Sequence, residues 1–248
     1  NIINREKGEP VYVLKSMSFR LEADSLESDL IKQNPYDARL RIKQEFFRAR
    51  NHAVRYKGPR IPFFLARLRT IPGRILHIDS SGEFLDMCMS QYAESKIKVV
   101  GRQLSESEQP EHVKGLLERY NPDILVITGH DGLKKNSGNL HSLDNYRNSK
   151  YFVASVKEAR KYQPDFDRLC IFAGACQSYY EAIMEAGANF ASSPGRVLIN
   201  ALDPAIVSER VSLTDNREYL DPQQVIKLTI SGSEGIGGIR TKGHMHKL

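Results

Sequence analysis

From Gly73 onward the chain alternates short apolar runs with stretches of helical periodicity, and that alternation constrains its fold more than any other feature. Arg74–Asp79, Ile97–Val100, Ile124–Thr128 and Leu169–Ala173 read as strands, with Asn189–Ser192 as a fifth. Between them, Glu83–Ser95, Glu106–Tyr120, Tyr151–Tyr162 and Gln177–Ala186 read as helices. Phe84, Met87, Cys88, Gln91 and Tyr92 share one face of the first helix, so Cys88 is expected in the core, as is His77 within the first strand. Apolar strands each followed by a helix predict a mostly parallel sheet covered on both faces, an α/β domain of three layers. Right-handed crossovers then bring the strand C-termini to one edge, where open α/β sheets carry their sites.

Composition narrows the function classes. No apolar run is long enough to span a bilayer, so no membrane role is expected. Cys88, Cys170 and Cys176 are an odd number without CxxC or His/Cys metal spacing. A disulfide framework and a structural zinc site are therefore not expected, nor is any metal or cofactor. The net charge of +6 is concentrated, because residues 39–74 hold eleven Lys/Arg against one acid, Glu45, a local +10 that leaves −4 for the remainder.

The charge step helps divide the chain into a β-rich fragment (1–34), a basic helical linker (35–72) and the α/β domain (73–248). Residues 10–21 alternate loosely and read as two short strands or a hairpin, the tail of a small β domain whose beginning precedes Asn1. The acidic patch Glu22, Asp24, Glu27 and Asp29 is expected to close it. Tyr36 to Tyr56 reads as a basic helix ending at Gly58–Pro59, with Ile61–Leu65 as an apolar clip onto the next domain. Three readings of this segment stay open: a solvated linker, a non-specific phosphate contact, and a protease-sensitive, self-cleaved region. Towards the C-terminus, Pro222–Ile230 reads as a helix. The glycine-rich run after it lacks the context of a phosphate-binding loop and is expected to be mobile.

Two strand ends carry the chemistry. Ile171–Ala173 is followed by Gly174, Ala175 and Cys176, then by the expected helix, whose dipole would lower the thiol pKa. Ile124–Thr128 is followed by Gly129, His130, Asp131 and Gly132. If these strands are neighbours, His130 and Cys176 emerge side by side as the apparatus for covalent acyl transfer. The thiolate attacks a carbonyl, the imidazole protonates the departing amine, and the N–H groups of Asp131 and Cys176 hold the oxyanion. Histidine first and cysteine after Gly-Ala resembles the order in caspase-like cysteine peptidases. Asp131 stands where those families have glycine, with Gly132 displaced by one.

Taken together, Gly73–Asp79, Pro122–Gly132, Asn145–Val153, Ile171–Ser178, Gly187–Pro194 and Gly235–Ile239 resemble the YabG family of sporulation-specific cysteine peptidases from spore-forming bacteria. The resemblance runs from about residue 10 to the end, and Ser18–Asp24 looks like the close of that family's small SH3-like domain. It implies a cofactor-free endopeptidase of the mother-cell cytoplasm at the forming spore coat. Its implied substrates are spore coat and germination-related proteins, cut after arginine, and it also cuts itself. His130 and Cys176 match the family's dyad. Arginine specificity asks for a buried acid; Asp79, after the first strand, and Asp203 are the two candidates, although Asp79 also suits a cap for the following helix. The rival reading is a non-enzymatic scaffold that binds nucleic acid or coat proteins through the basic segment.

Overall fold

A computed structural model describes residues 2–6, 8–55, 70–135 and 139–247. Three antiparallel strands open the chain: β1 (Ile2–Glu6), β2 (Glu9–Lys15) and β3 (Glu22–Leu26), in the order β1-β2-β3. The hairpin expected within residues 10–21 is not there: that range holds only β2, which pairs with β1 before it and with β3, built from the acidic patch, while residues 16–21 connect β2 to β3. Helix α1 (Pro35–Arg55) follows within a residue of the predicted limits. The expected Gly58–Pro59 stop and the clip at 61–65 lie outside the described residues.

Next come β4 (Thr70–Ile71), β5 (Ile75–Asp79), α2 (Gly82–Glu94), β6 (Val99–Gln103), α3 (Gln109–Tyr120) and β7 (Ile124–Thr128). They are followed by α4 (Ser149–Tyr162), β8 (Cys170–Ala173), α5 (Tyr180–Glu185), β9 (Phe190–Ser192) and α6 (Asp203–Ser212). The chain ends with β10 (Tyr219–Leu220), α7 (Pro222–Ile226), α8 (Gly232–Gly235), β11 (Ile236–Gly238), β12 (Thr241–Lys242) and β13 (His246–Lys247). A six-stranded sheet in the order β11-β9-β8-β7-β5-β6 forms the centre, parallel except for β11.

The period-two pleat sorts each strand's side chains onto two faces. Ile75, Ile124, Val126 and Phe172 pack with Cys88 and Tyr92 of α2 and Ala205 and Val207 of α6. Leu76, Ile78, Leu125, Ile127 and Ile171 pack with Val113 and Leu117 of α3 and Phe152 and Val156 of α4. Three layers result, with β5, β7 and β8 buried on both faces, as the apolar runs require. No helix among the described residues is long and apolar enough to cross a membrane.

Four local readings are corrected. The second central strand lies at Val99–Gln103 rather than Ile97–Val100, because Lys96 turns the chain at φ 57° and Val99 takes the register opposite Ile75. The helix predicted over Gln177–Ala186 is reduced to α5, as described below. Helix α6 carries no amphipathic signal because it is buried almost all round, so periodicity misses it. The C-terminal glycine run is not a loose loop: α8 and β11 form there, and β11 pairs antiparallel with β9. Glycine permits that pairing because a Cβ at Gly238 would meet the Phe190 ring at 2.3 Å and the Asn189 carbonyl at 2.9 Å. Gly238→Ala should therefore destabilise the domain by about 1–3 kcal/mol through overpacking. Thermal unfolding checks this, and an unchanged Tm would return the run to the status of a loop.

Candidate active site

Strands β5, β7 and β8 are consecutive neighbours, so Asp79 and the loops that open at Gly129 and Gly174 leave the sheet side by side. This is also where strand order reverses, with β6 on one side of β5 and β7 on the other, the usual place for a site in an open α/β sheet.

Cys176 lies three residues past β8 and is fully buried. Its Sγ accepts the Ile199 N–H at 3.2 Å and lies 3.7 Å from the Ile199 carbonyl. The next residue, Gln177, is held in the left-handed region at φ 54°, an uncommon conformation for a side-chain-bearing residue. Its N–H donates to the Val197 carbonyl at 3.2 Å and to Ser193 Oγ at 3.1 Å. Helix geometry cannot run through that turn, so α5 starts only at Tyr180 and no helix N-terminus faces the sulfur. The expected lowering of the thiol pKa is thus reversed: burial pushes it up to about 12.

His130, two residues past β7, is also buried. Its backbone N–H donates to Glu106 Oε1 at 2.7 Å, and its Nδ1 stands 3.4 Å from Ser80 Oγ, which donates to the same carboxylate at 2.6 Å. Nε2 is 3.4 Å from the Ser16 carbonyl. Burial, reinforced by the charges of Lys15 and Arg20, lowers the pKa of the ring, so it is neutral near pH 7. Glu106, which the pattern marked only as the start of a helix, is thus the buried acid that orients His130 through its main chain and Ser80. The thiol's partners are the backbone groups of Ile199, not the imidazole.

Residues 16–22 of the chain itself are laid across these strand ends. The Arg20 carbonyl accepts the N–H of Cys176 at 3.1 Å and the N–H of Asp131 at 3.1 Å. The two donors picked out as an oxyanion hole therefore converge on one oxygen. On one side Phe19 forms an antiparallel bridge with Asn200; on the other Leu21 bridges Asp131, and the Glu22 N–H donates to the Asp131 carbonyl at 2.8 Å. Gly132 allows this approach, because a Cβ there would lie 2.1 Å from the Glu22 carbonyl oxygen.

The Arg20 side chain is entirely buried. Nη1 lies 2.5 Å from Asp79 Oδ2 and Nη2 donates to the Ala201 carbonyl at 3.0 Å. The guanidinium carbon sits 5.0 Å over the Phe84 ring, and Nη2 lies 3.9 Å from Cys88 Sγ. Asp79 Oδ2 also accepts from Thr128 Oγ1 at 2.8 Å, with His77 Nε2 at 3.7 Å, while Oδ1 accepts the Ser81 N–H at 2.8 Å. Burial would raise the Asp79 carboxyl, but the Arg20 charge and these hydrogen bonds outweigh it and hold it well below the usual carboxylate range. The helix cap at α2 is Ser81, whose side chain accepts the Phe84 N–H at 3.3 Å.

Asp203 has a different environment. Its carboxylate accepts the backbone N–H groups of Ile230 at 2.6 Å and of Asn200 and Ser231 at 3.2 Å each, and burial raises its pKa. It touches the loop whose Ala201 carbonyl meets Arg20, not the guanidinium. Asp131, the departure from the glycine pattern, uses its side chain as a staple. Its carboxylate accepts from Ser149 Oγ at 2.5 Å, Ser178 Oγ at 2.9 Å and the Asn148 N–H at 2.8 Å. Ser178 Oγ in turn accepts the Ala175 N–H at 2.9 Å, so the histidine loop is tied to the turn that carries Cys176. Burial pushes the Asp131 carboxyl up to about 6.

Sequence reasoning missed Arg20, Glu106, Phe84 and Ala201 as parts of this site. Arg20 falls within Ser18–Asp24, which the sequence pattern gives to the close of the β domain, and nothing local in the sequence places it against Asp79, 59 positions away. Among the described residues no cluster of three or more His, Cys, Asp and Glu side chains suits a metal ion.

The chain is 37% identical over 251 residues to the sporulation-specific protease YabG of Bacillus subtilis (strain 168), covering 96% of this chain and 86% of that protein. No solved structure matches it. The model of the YabG peptidase U57 family matches residues 1–248, and the chain belongs to that family of peptidases.

Proposed function

We propose that this peptidase is a cysteine endopeptidase that cuts after arginine, and that its own Arg20–Leu21 bond is one of its substrates. Cys176 is the nucleophile and His130 the acid–base group. The N–H groups of Asp131 and Cys176 form the oxyanion hole, and Asp79 is the floor of the arginine pocket. In the first half-reaction Sγ forms a bond to the arginine carbonyl carbon as its proton passes to His130. His130 then protonates the leaving nitrogen while the C–N bond breaks. In the second half, water activated by His130 attacks the thioester and returns the thiol. In this scheme His130 exchanges protons with both the sulfur and the leaving nitrogen, whereas in the closed arrangement described above the thiol's partners are the backbone groups of Ile199.

One observation carries the reading. A single arginine places its carbonyl oxygen on two converging N–H donors while its guanidinium fills a closed pocket ending on a carboxylate. An oxyanion hole and a specificity pocket joined by one residue is the arrangement required of a scissile arginine. The order of the parallel strands, with histidine and cysteine on neighbouring strand ends, supports a caspase-like architecture. The scaffold alternative gives these convergent contacts no role. For self-cleavage the geometry favours Arg20 over the arginines of 39–74, none of which is held in this way among the described residues. The family also motivates spore-coat and germination-related protein substrates within the mother cell, and an SH3-like origin for the N-terminal strands.

Cys176→Ala should yield only the intact chain by mass spectrometry, whereas the parent chain yields fragments 1–20 and 21–248. An arginyl chloromethylketone should label the parent at Cys176, and fragments persisting in pure Cys176→Ala would eliminate the dyad. Asp79→Asn leaves a buried guanidinium without its counter-charge. It should lower kcat/KM for arginyl peptides by about 10²–10³, the equivalent of breaking a buried ion pair. An unchanged preference at the cleaved residue would remove Asp79 from the pocket.

A further inference from the structure

We infer that Arg147 forms a subsite for acidic side chains on the leaving-group side of the cleaved bond, at the second and fourth positions after the arginine. The inference rests on reading Arg20–Leu21 as a substrate bond and goes beyond it to the kind of peptide the enzyme selects. Downstream of Leu21 the chain runs extended into β3, so residues two apart face the same way. Glu22 and Asp24 are such a pair. Arg147 Nη2 lies 2.5 Å from Asp24 Oδ2 and its Nη1 lies 3.8 Å from Glu22 Oε1. Lys15 faces Glu22 from the neighbouring strand at 3.5 Å.

Arg147 is anchored to the catalytic loops rather than to the N-terminal sheet. Its N–H donates to the Gly132 carbonyl at 3.1 Å, and the next residue, Asn148, donates its N–H to Asp131 Oδ1 at 2.8 Å and its side-chain amide to the His130 carbonyl at 2.8 Å. The guanidinium therefore stands at a fixed offset from the oxyanion donors. Its side chain is only 12% exposed, and both its Nε and Asp24 Oδ1 are buried without a hydrogen-bond partner. A mostly buried guanidinium with spare donor capacity, aimed along the path of the departing chain, has the chemistry to recognise a carboxylate. A substrate of the pattern arginine, apolar residue, acid, any residue, acid would satisfy it.

The test uses the full chain after self-cleavage and two synthetic peptides spanning residues 16–26, one with the parent sequence and one carrying Glu22→Gln and Asp24→Asn. The acidic peptide should be cleaved with a kcat/KM about tenfold higher, the scale of one charge-assisted hydrogen bond. Arg147→Gln should erase that preference by slowing the acidic peptide alone, while Arg147→Lys keeps part of it. Equal rates for the two peptides in the parent enzyme would overturn the subsite, as would an Arg147→Gln enzyme that slows both equally, the mark of a merely structural arginine. Labelling of Cys176 by an arginyl chloromethylketone, which has no residues beyond the cleaved bond, separates the two levels. A labelled enzyme that ignores the acids refutes only the subsite, whereas an enzyme that resists labelling refutes the peptidase chemistry and the subsite together.

Discussion

The ion pair between Arg20 and Asp79 is the interaction on which the rest of the site depends. Both side chains are fully buried, and removing such charges from water costs several kcal/mol per ion unless geometry and hydrogen bonding are nearly complete. Here three elements complete them: Asp79 ends β5, Phe84 lies in the first turn of α2, and Ala201 precedes α6. A planar guanidinium can bond the carboxylate with one nitrogen and the carbonyl with another while lying over the ring. An ammonium is a point charge and offers no comparable fork. The selectivity proposed for this pocket therefore follows from the desolvation cost as much as from the attraction, since a side chain that leaves any partner unmet forfeits most of the compensation.

The parts of this arrangement legible in the sequence are those fixed by the sheet. Asp79, His130 and Cys176 each sit at or just past the end of a strand whose apolar run is unmistakable, and consecutive strands pair. Their meeting at one edge follows from topology without any side-chain detail. Pairing of the Asp131 and Cys176 N–H groups could be anticipated for the same reason. The parts that were not legible depend on long-range contact or on exclusion of water. Arg20 reaches the site only because β2 and β3 fold back over the strand ends, and its own neighbours read equally well as a hairpin. Glu106 precedes α3 without belonging to any motif, and its role depends on the proximity of Gly129 and Ser80. Helix α6 is hidden because burial on all sides removes the period that would announce it. The left-handed turn at Gln177, which cuts short the helix after Cys176, is imposed by the Ser193 and Val197 loop and leaves no trace in composition.

The same contacts decide the protonation state of the pair that is proposed to react. With residues 16–22 in place, burial raises Cys176 to about 12 and lowers His130, so thiol and imidazole are both neutral. In the proposed reaction charge then has to appear during attack rather than before it, which would place the catalytic burden on the two N–H donors already fixed on the Arg20 oxygen. Those donors are held by the Asp131 carboxylate, through Ser178 on the cysteine side and Asn148 and Ser149 on the histidine side. An aspartate in place of a glycine therefore need not weaken the hole: its N–H still points inward, and its side chain supplies the brace.

Withdrawal of Arg20 breaks the buried pair. Asp79 would lose the charge that holds its pKa down, and breaking a buried pair by removing one partner costs about 3–5 kcal/mol. Water or another guanidinium must then enter, and only the second restores the full set of contacts. If the pocket selects arginine as proposed, that selection and retention of the chain's own Arg20 are the same free energy viewed from two sides. Under the proposed function, the site is occupied by the chain's own Arg20 until the Arg20–Leu21 bond is cut and the fragment ending in Arg20 leaves. The stronger its preference for arginine, the more firmly the uncut segment holds the site closed.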